Sequence, residues 1–65
     1  MRIINWGTSV TPDRTGLILM GNVFGSTRWP DGENIDTSVV LTVALDEKGQ
    51  LVCSTIKGSI YTLEG

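Results

Sequence analysis

The stretch Ser38–Leu63 reads SVVLTVALDEKGQLVCSTIKGSIYTL. Three runs rich in Val, Leu, Ile and Thr are separated by two short polar breaks, each containing a glycine. β-Branched side chains favour extended backbone, and glycine accepts the left-handed geometry that closes a hairpin loop. Strands are therefore predicted over Ser38–Asp46, Gln50–Ile56 and Ser59–Leu63. Asp46-Glu47-Lys48-Gly49 forms one hairpin loop, and Lys57-Gly58 is a tight two-residue turn. Val39, Leu41, Val43 and Leu45 alternate along the first strand and so share one face. The three runs make a meander.

The N-terminal half continues the pattern. Arg2–Trp6 predicts a short first strand, and Thr11-Pro12-Asp13 with Gly16 predicts a loop across Gly7–Gly16. Leu17–Phe24 is a strong strand. Leu17, Leu19 and Val23 fall on one face, and Ile18, Met20 and Phe24 on the other, as expected of a strand covered on both sides. Gly21 in its middle predicts a bulge or sharp bend. Gly25–Ser38 (GSTRWPDGENIDTS) is polar and rich in turn residues; Pro30-Asp31-Gly32 marks the turn within it. Ala44 is the sole alanine, and no stretch carries apolar residues at helical spacing. The expected fold is all-β: one domain, 1–65, with a small twisted antiparallel sheet or partly open barrel of five to six short strands.

Size and composition bound the rest. A chain of 65 residues buries only roughly 60 % of its unfolded surface. Cys53 is the lone cysteine and there is no histidine, which excludes an internal disulfide and a zinc site. Self-association is the remaining way to enlarge the core, so a homodimer or higher oligomer is expected. The edges of strands such as Ser38–Asp46 give a second reason for it. A net charge of −2 argues against a general nucleic-acid binder. The N-terminus reads as neither a signal peptide nor a membrane span, so the expected location is cytoplasmic. Cys53 is expected to be a packed, reduced thiol.

No catalytic residue, metal site or cofactor is implied. Without histidine no Ser-His-Asp arrangement exists, and Cys53 has no imidazole partner. Asp31, Glu33 and Asp36, like Asp46 and Glu47, read as solvated turn acids, with Asp36 capping the Thr37 and Ser38 amides. Two turns offer anion-binding chemistry. Gly25-Ser26-Thr27-Arg28 and Lys57-Gly58-Ser59 each combine backbone amides, a hydroxyl and a cation. Arg28-Trp29 adds a guanidinium beside a flat indole face, and Tyr61 adds a second aromatic with a polar handle. The alternative roles are packing ones: Trp29 and Trp6 as lids on the core, and Tyr61 as core or rim. Thr37 and Ser38 serve either as ligand donors or as loop caps.

DGENIDTSVV, followed downstream by KGSIYTLEG, resembles a pattern in small uncharacterised bacteriophage and prophage proteins: D-G-x-x-I-x-T-S, then a hairpin ending G-S-x-Y-x-L. The matching positions are Asp31, Gly32, Ile35, Thr37, Ser38, Gly58, Ser59, Tyr61 and Leu63. The resemblance implies an accessory or host-antagonising role and no particular activity. The expected function is non-enzymatic: antagonism of host defence by sequestering a nucleotide-type anion at a subunit interface. Arg28, Trp29, Thr37, Ser38, Lys57, Ser59 and Tyr61 are the candidate ligand-binding residues. The alternatives are a protein inhibitor docking Gly25–Ser38 on a host enzyme, or a small nucleic-acid-binding barrel.

Overall fold

The computed structural model describes residues 1–64; Gly65, which ends the KGSIYTLEG stretch, lies outside them. The chain is all-β, with six strands: β1 (Arg2–Val10), β2 (Leu17–Phe24), β3 (Glu33–Asp36), β4 (Val40–Leu45), β5 (Leu51–Thr55) and β6 (Ile60–Glu64). They form one sheet in the order β3-β2-β1-β6-β5-β4. The sheet is mixed, because β1 and β6 pair in parallel while every other pair is antiparallel. Two three-stranded meanders are thus joined through the first and last strands of the chain. No hairpin links that pair, so its direction follows the path of the chain between the meanders.

That path is Thr37–Val39. β3 and β4 run in the same direction, so they are two halves of one bent route: β3 bonds to β2, and β4 bonds to β5. The two edges of a curled sheet are brought together at the bend without a ladder between them. Thr37 N–H donates to the Leu19 carbonyl (2.8 Å), and Ile56 N–H donates to the Val39 carbonyl (2.9 Å). The sheet is therefore curled but not closed.

β1 is longer than Arg2–Trp6, because Gly7–Val10 pairs with Leu17–Met20. Ladder bonds across the hairpin override the weak strand preference of Gly-Thr-Ser. The loop shrinks to Thr11–Gly16, closed by Thr11 N–H donating to the Gly16 carbonyl at 2.9 Å. The irregularity expected at Gly21 lies on the facing strand. Ile4 pairs with Asn22 and Gly7 with Met20, so Asn5 and Trp6 together oppose Gly21. Asn5 takes a positive φ of 51° there. The extra residue shifts the alternation, so Ile3 is in the core and Trp6 packs against it. A Cβ on Gly21 would sit 2.5 Å from Ile3 Cγ2 and 2.8 Å from the Ile4 carbonyl oxygen. Only glycine admits that approach.

Ile3, Leu19, Val23, Ile35, Cys53, Tyr61 and Leu63 make the buried core, with Trp6, Trp29, Val40 and Leu51 packed around it. β4 departs from its expected face. A bulge between Val40 and Thr42 breaks the alternation. Val40 packs against the core, while Leu41, Val43 and Leu45 are exposed. The reason is position. Val39 reaches Gly16, just before β2 begins, so that a Cβ there would meet Val39 Cγ1 at 2.8 Å. Past that contact with the start of β2, Leu41, Val43 and Leu45 are left facing solvent.

Both C-terminal hairpins use three-residue loops ending in a left-handed glycine. Asp46 pairs with Gln50, and Thr55 with Ser59; the second loop was expected to hold only two residues. Gly58 has φ +86°, which turns Lys57 and Ser59 back toward the bend at Thr37–Val39.

Candidate functional site

A cleft of about 480 Å³ opens where the sheet fails to close. Arg28, Asp36, Thr37, Ser38, Lys57, Ser59 and Tyr61 line it. Five pieces of chain supply them: the β2–β3 loop, the end of β3, the bend between β3 and β4, the β5–β6 loop, and β6. Arg28 from the first candidate turn and Lys57 and Ser59 from the second thus line one space, whereas the Gly25 and Arg28 amides of the first turn are taken up by Asp31 and Ser26 within the loop. Its volume falls within the range of small-molecule sites, roughly 300–1,000 Å³. One chain builds it, whereas the sequence reading expected such a space only between subunits.

Each wall has a local cause. Ser26 Oγ accepts the Arg28 amide at 2.9 Å and the Trp29 amide at 3.4 Å, which holds the β2–β3 loop in a tight turn. Asp31 braces the same loop by accepting the Gly25 amide at 2.9 Å. Thr37 is fixed in two directions. Its Oγ1 accepts the Leu19 amide at 3.0 Å and donates to the Ser38 carbonyl at 2.8 Å. That hydroxyl proton is committed, so Thr37 shapes the wall while Ser38 and Ser59 offer the free hydroxyl donors. Tyr61 is only 2 % exposed and forms the floor, where the core meets the cleft.

Of the candidate ligand-binding residues, Trp29 alone does not line the space. It is half-buried against the core, and the Arg28 guanidinium lies over its ring, 5.0 Å from the centroid. Trp29 thus carries Arg28 from below, a cation–π contact worth ~0.5–1 kcal/mol where exposed. Asp36 was read from the sequence as a cap. The Thr37 amide goes instead to the Leu19 carbonyl, and Asp36 stands exposed in the lining. A polar four-residue strand such as ENID gives no periodic signal that would aim Asp36 inward. Asp36 reaches the lining as the last residue of β3, where the chain enters the bend.

Electrostatically the lining holds two cations and one carboxylate in a chain of net charge −2. The lining is thus locally positive and rich in hydroxyls on a mildly acidic chain. Cys53 lies in the core opposite Tyr61 and does not line the cleft. It is fully buried, and burial pushes its thiol pKa up, which keeps it protonated and inert. Among the described residues no helix is long and apolar enough to cross a membrane. Compared with protein-family models, curated proteins and solved structures, the chain matches none.

Proposed function

We propose that this is a non-enzymatic binding protein that sequesters a small anion of the nucleotide type in the cleft between the Thr37–Val39 bend and the β5–β6 loop. One observation carries the reading: Arg28 and Lys57, from opposite halves of the chain, line one cleft together with Ser38, Ser59 and Tyr61. Arg28 forks onto a phosphate, and Lys57 adds a second point charge. Ser38 and Ser59 donate to the remaining oxygens, and the buried Tyr61 closes the floor beneath the ligand. A chain without histidine lacks the usual general base, so holding the ligand, rather than turning it over, is the activity. A host-cell cytoplasm, where nucleotide signals circulate, is the compartment this reading assigns.

The test is isothermal titration of the purified protein with nucleoside monophosphates, diphosphates and cyclic nucleotides, after heat release and native mass spectrometry of anything carried through purification. At least one nucleotide should bind, and Arg28→Ala and Lys57→Ala should each weaken it tenfold or more. No heat with any of them, or binding unchanged in both variants, overturns the reading.

A further inference from the structure

The two edges of this sheet are built in opposite ways. The β3 edge, Glu33-Asn34-Ile35-Asp36, carries an exposed carboxylate at each end. Charges of that kind keep a sheet edge from pairing with another chain. The β4 edge, Val40-Leu41-Thr42-Val43-Ala44-Leu45, carries no charge and no proline. It bonds to β5 on one side, and as the last strand in the sheet it has no strand on the other.

The side chains follow the same division. Val23, Ile3, Leu63, Leu51 and Leu45 form one row across the inner face of the sheet, each opposite the next. Exposure along it is 0 % at Val23 and Ile3, 7 % at Leu63 and 68 % at Leu45. The adjacent row runs Tyr61, Cys53, Val43 and ends 53 % exposed at Val43. Leu41, at the bulge, is 65 % exposed. The apolar face of the core continues onto β4 and there meets water.

We propose that β4 pairs antiparallel with β4 of a second copy of this chain about a twofold axis, continuing the sheet through the dimer. The occupant follows from the charge pattern. In an antiparallel twofold pair each residue faces the one equally far on the other side of the axis, so along the β3 edge Glu33 would face Asp36 of the second copy, and like charges opposite one another destabilise a sheet. Val40–Leu45 is free of that penalty, and the acidic β3 edge is not. Pairing satisfies the open backbone groups of β4 and, centred on Val43, sets Val43 against its own copy and Leu41 against Leu45 of the second copy, so the exposed apolar side chains are self-complementary. Because the other edge is acidic, association stops at two. The inference stands independently of the cleft, whose lining comes from one chain.

Sedimentation velocity over a range of micromolar concentrations tests it, with wild type beside Val43→Lys and Leu45→Lys. Both positions are solvent-exposed, so the variants should fold, and far-UV circular dichroism and a cooperative thermal transition verify that. The expected result is a discrete wild-type dimer and, in each folded variant, a dimer dissociation constant raised tenfold or more. Glu33→Lys on the β3 edge should leave the dimer unchanged. A monomeric wild type, a polymer, or a dimer as tight in both lysine variants as in wild type overturns the proposal.

Discussion

Thr37 and Leu19 are bonded twice. The Thr37 amide donates to the Leu19 carbonyl at 2.8 Å, and the Leu19 amide donates to Thr37 Oγ1 at 3.0 Å. A side chain thus takes over the place of a strand at the point where β3 ends and the chain crosses toward β4. The bend that forms the cleft wall depends on this pair.

Thr37→Val keeps the shape and removes the oxygen. Leu19 and Thr37 are both buried, so the Leu19 amide is left without an acceptor. The cost of such an orphaned donor is about 1–3 kcal/mol. Urea unfolding should show a lower midpoint, corresponding to a loss of about 1–3 kcal/mol in unfolding free energy. Thr37→Ser, which retains the acceptor, should recover most of it. A valine variant as stable as wild type would mean that the bend is held by packing alone.

Gly21→Ala should be among the most damaging single-methyl additions in the chain. The new Cβ meets Ile3 Cγ2 at 2.5 Å and the Ile4 carbonyl oxygen at 2.8 Å, and the second of these is backbone that cannot swing away. Overpacking of this kind costs about 1–3 kcal/mol. In a domain this small each kcal/mol lowers the melting temperature by about 4–8 °C. Differential scanning calorimetry checks the drop.

Trp29 and Arg28 should separate in their effects. Trp29→Ala removes a half-buried ring from the margin of the core and should lower the melting temperature. Arg28→Ala, at an exposed cleft residue, should lower it less, by about 2–8 °C, the ~0.5–1 kcal/mol of its cation–π contact with Trp29. Trp29→Phe should retain nucleotide binding to within about threefold, because the ring supports Arg28 without lining the cleft. A complete loss of binding in a folded Trp29→Phe variant would put the indole in direct contact with the ligand.

Asp13 governs the pH response of the β1–β2 turn. Its Oδ1 accepts the Thr11 hydroxyl at 2.6 Å, the Thr15 hydroxyl at 2.8 Å and the Thr15 amide at 3.1 Å. These bonds, the Thr11 hydroxyl foremost, hold the carboxyl pKa below the ordinary aspartate value. A depressed folded pKa means that its stabilisation is complete above the unfolded value and fades as pH falls through the folded one. Carboxyl carbon NMR should show a midpoint below that of an unperturbed aspartate, moved upward by Thr11→Val. Any stability advantage over Asp13→Ala should vanish at the acid end of the titration.

The strands were legible where composition and period agree. Leu17–Phe24 is a strand with the predicted bounds, and the two C-terminal loops turn on Gly49 and Gly58 as read. β3 was hidden inside Gly25–Ser38, because ENID has a single apolar residue, Ile35, and its pairing with β2 is not encoded locally. β4 was legible as a strand with a shared apolar face, but not the exposure of that face. Alternation reports which residues share a face, but not whether anything lies across from that face. The cleft followed the same division. Arg28, Lys57 and Ser59 stood out as cation-and-hydroxyl turns, while Asp36 gave no sign of a place in the lining.

Local chemistry in the chain determined the all-β class, the turn positions and the residue types able to hold an anion. Those properties arise from each residue's backbone preferences and the chemistry of its side chain. Only the tertiary structure decided that β1 and β6 lie side by side in parallel, that the sheet stops short of closing, and that two distant turns share one cleft. These depend on which strands meet across long loops, and hydrophobic burial between strands far apart in sequence sets that pairing.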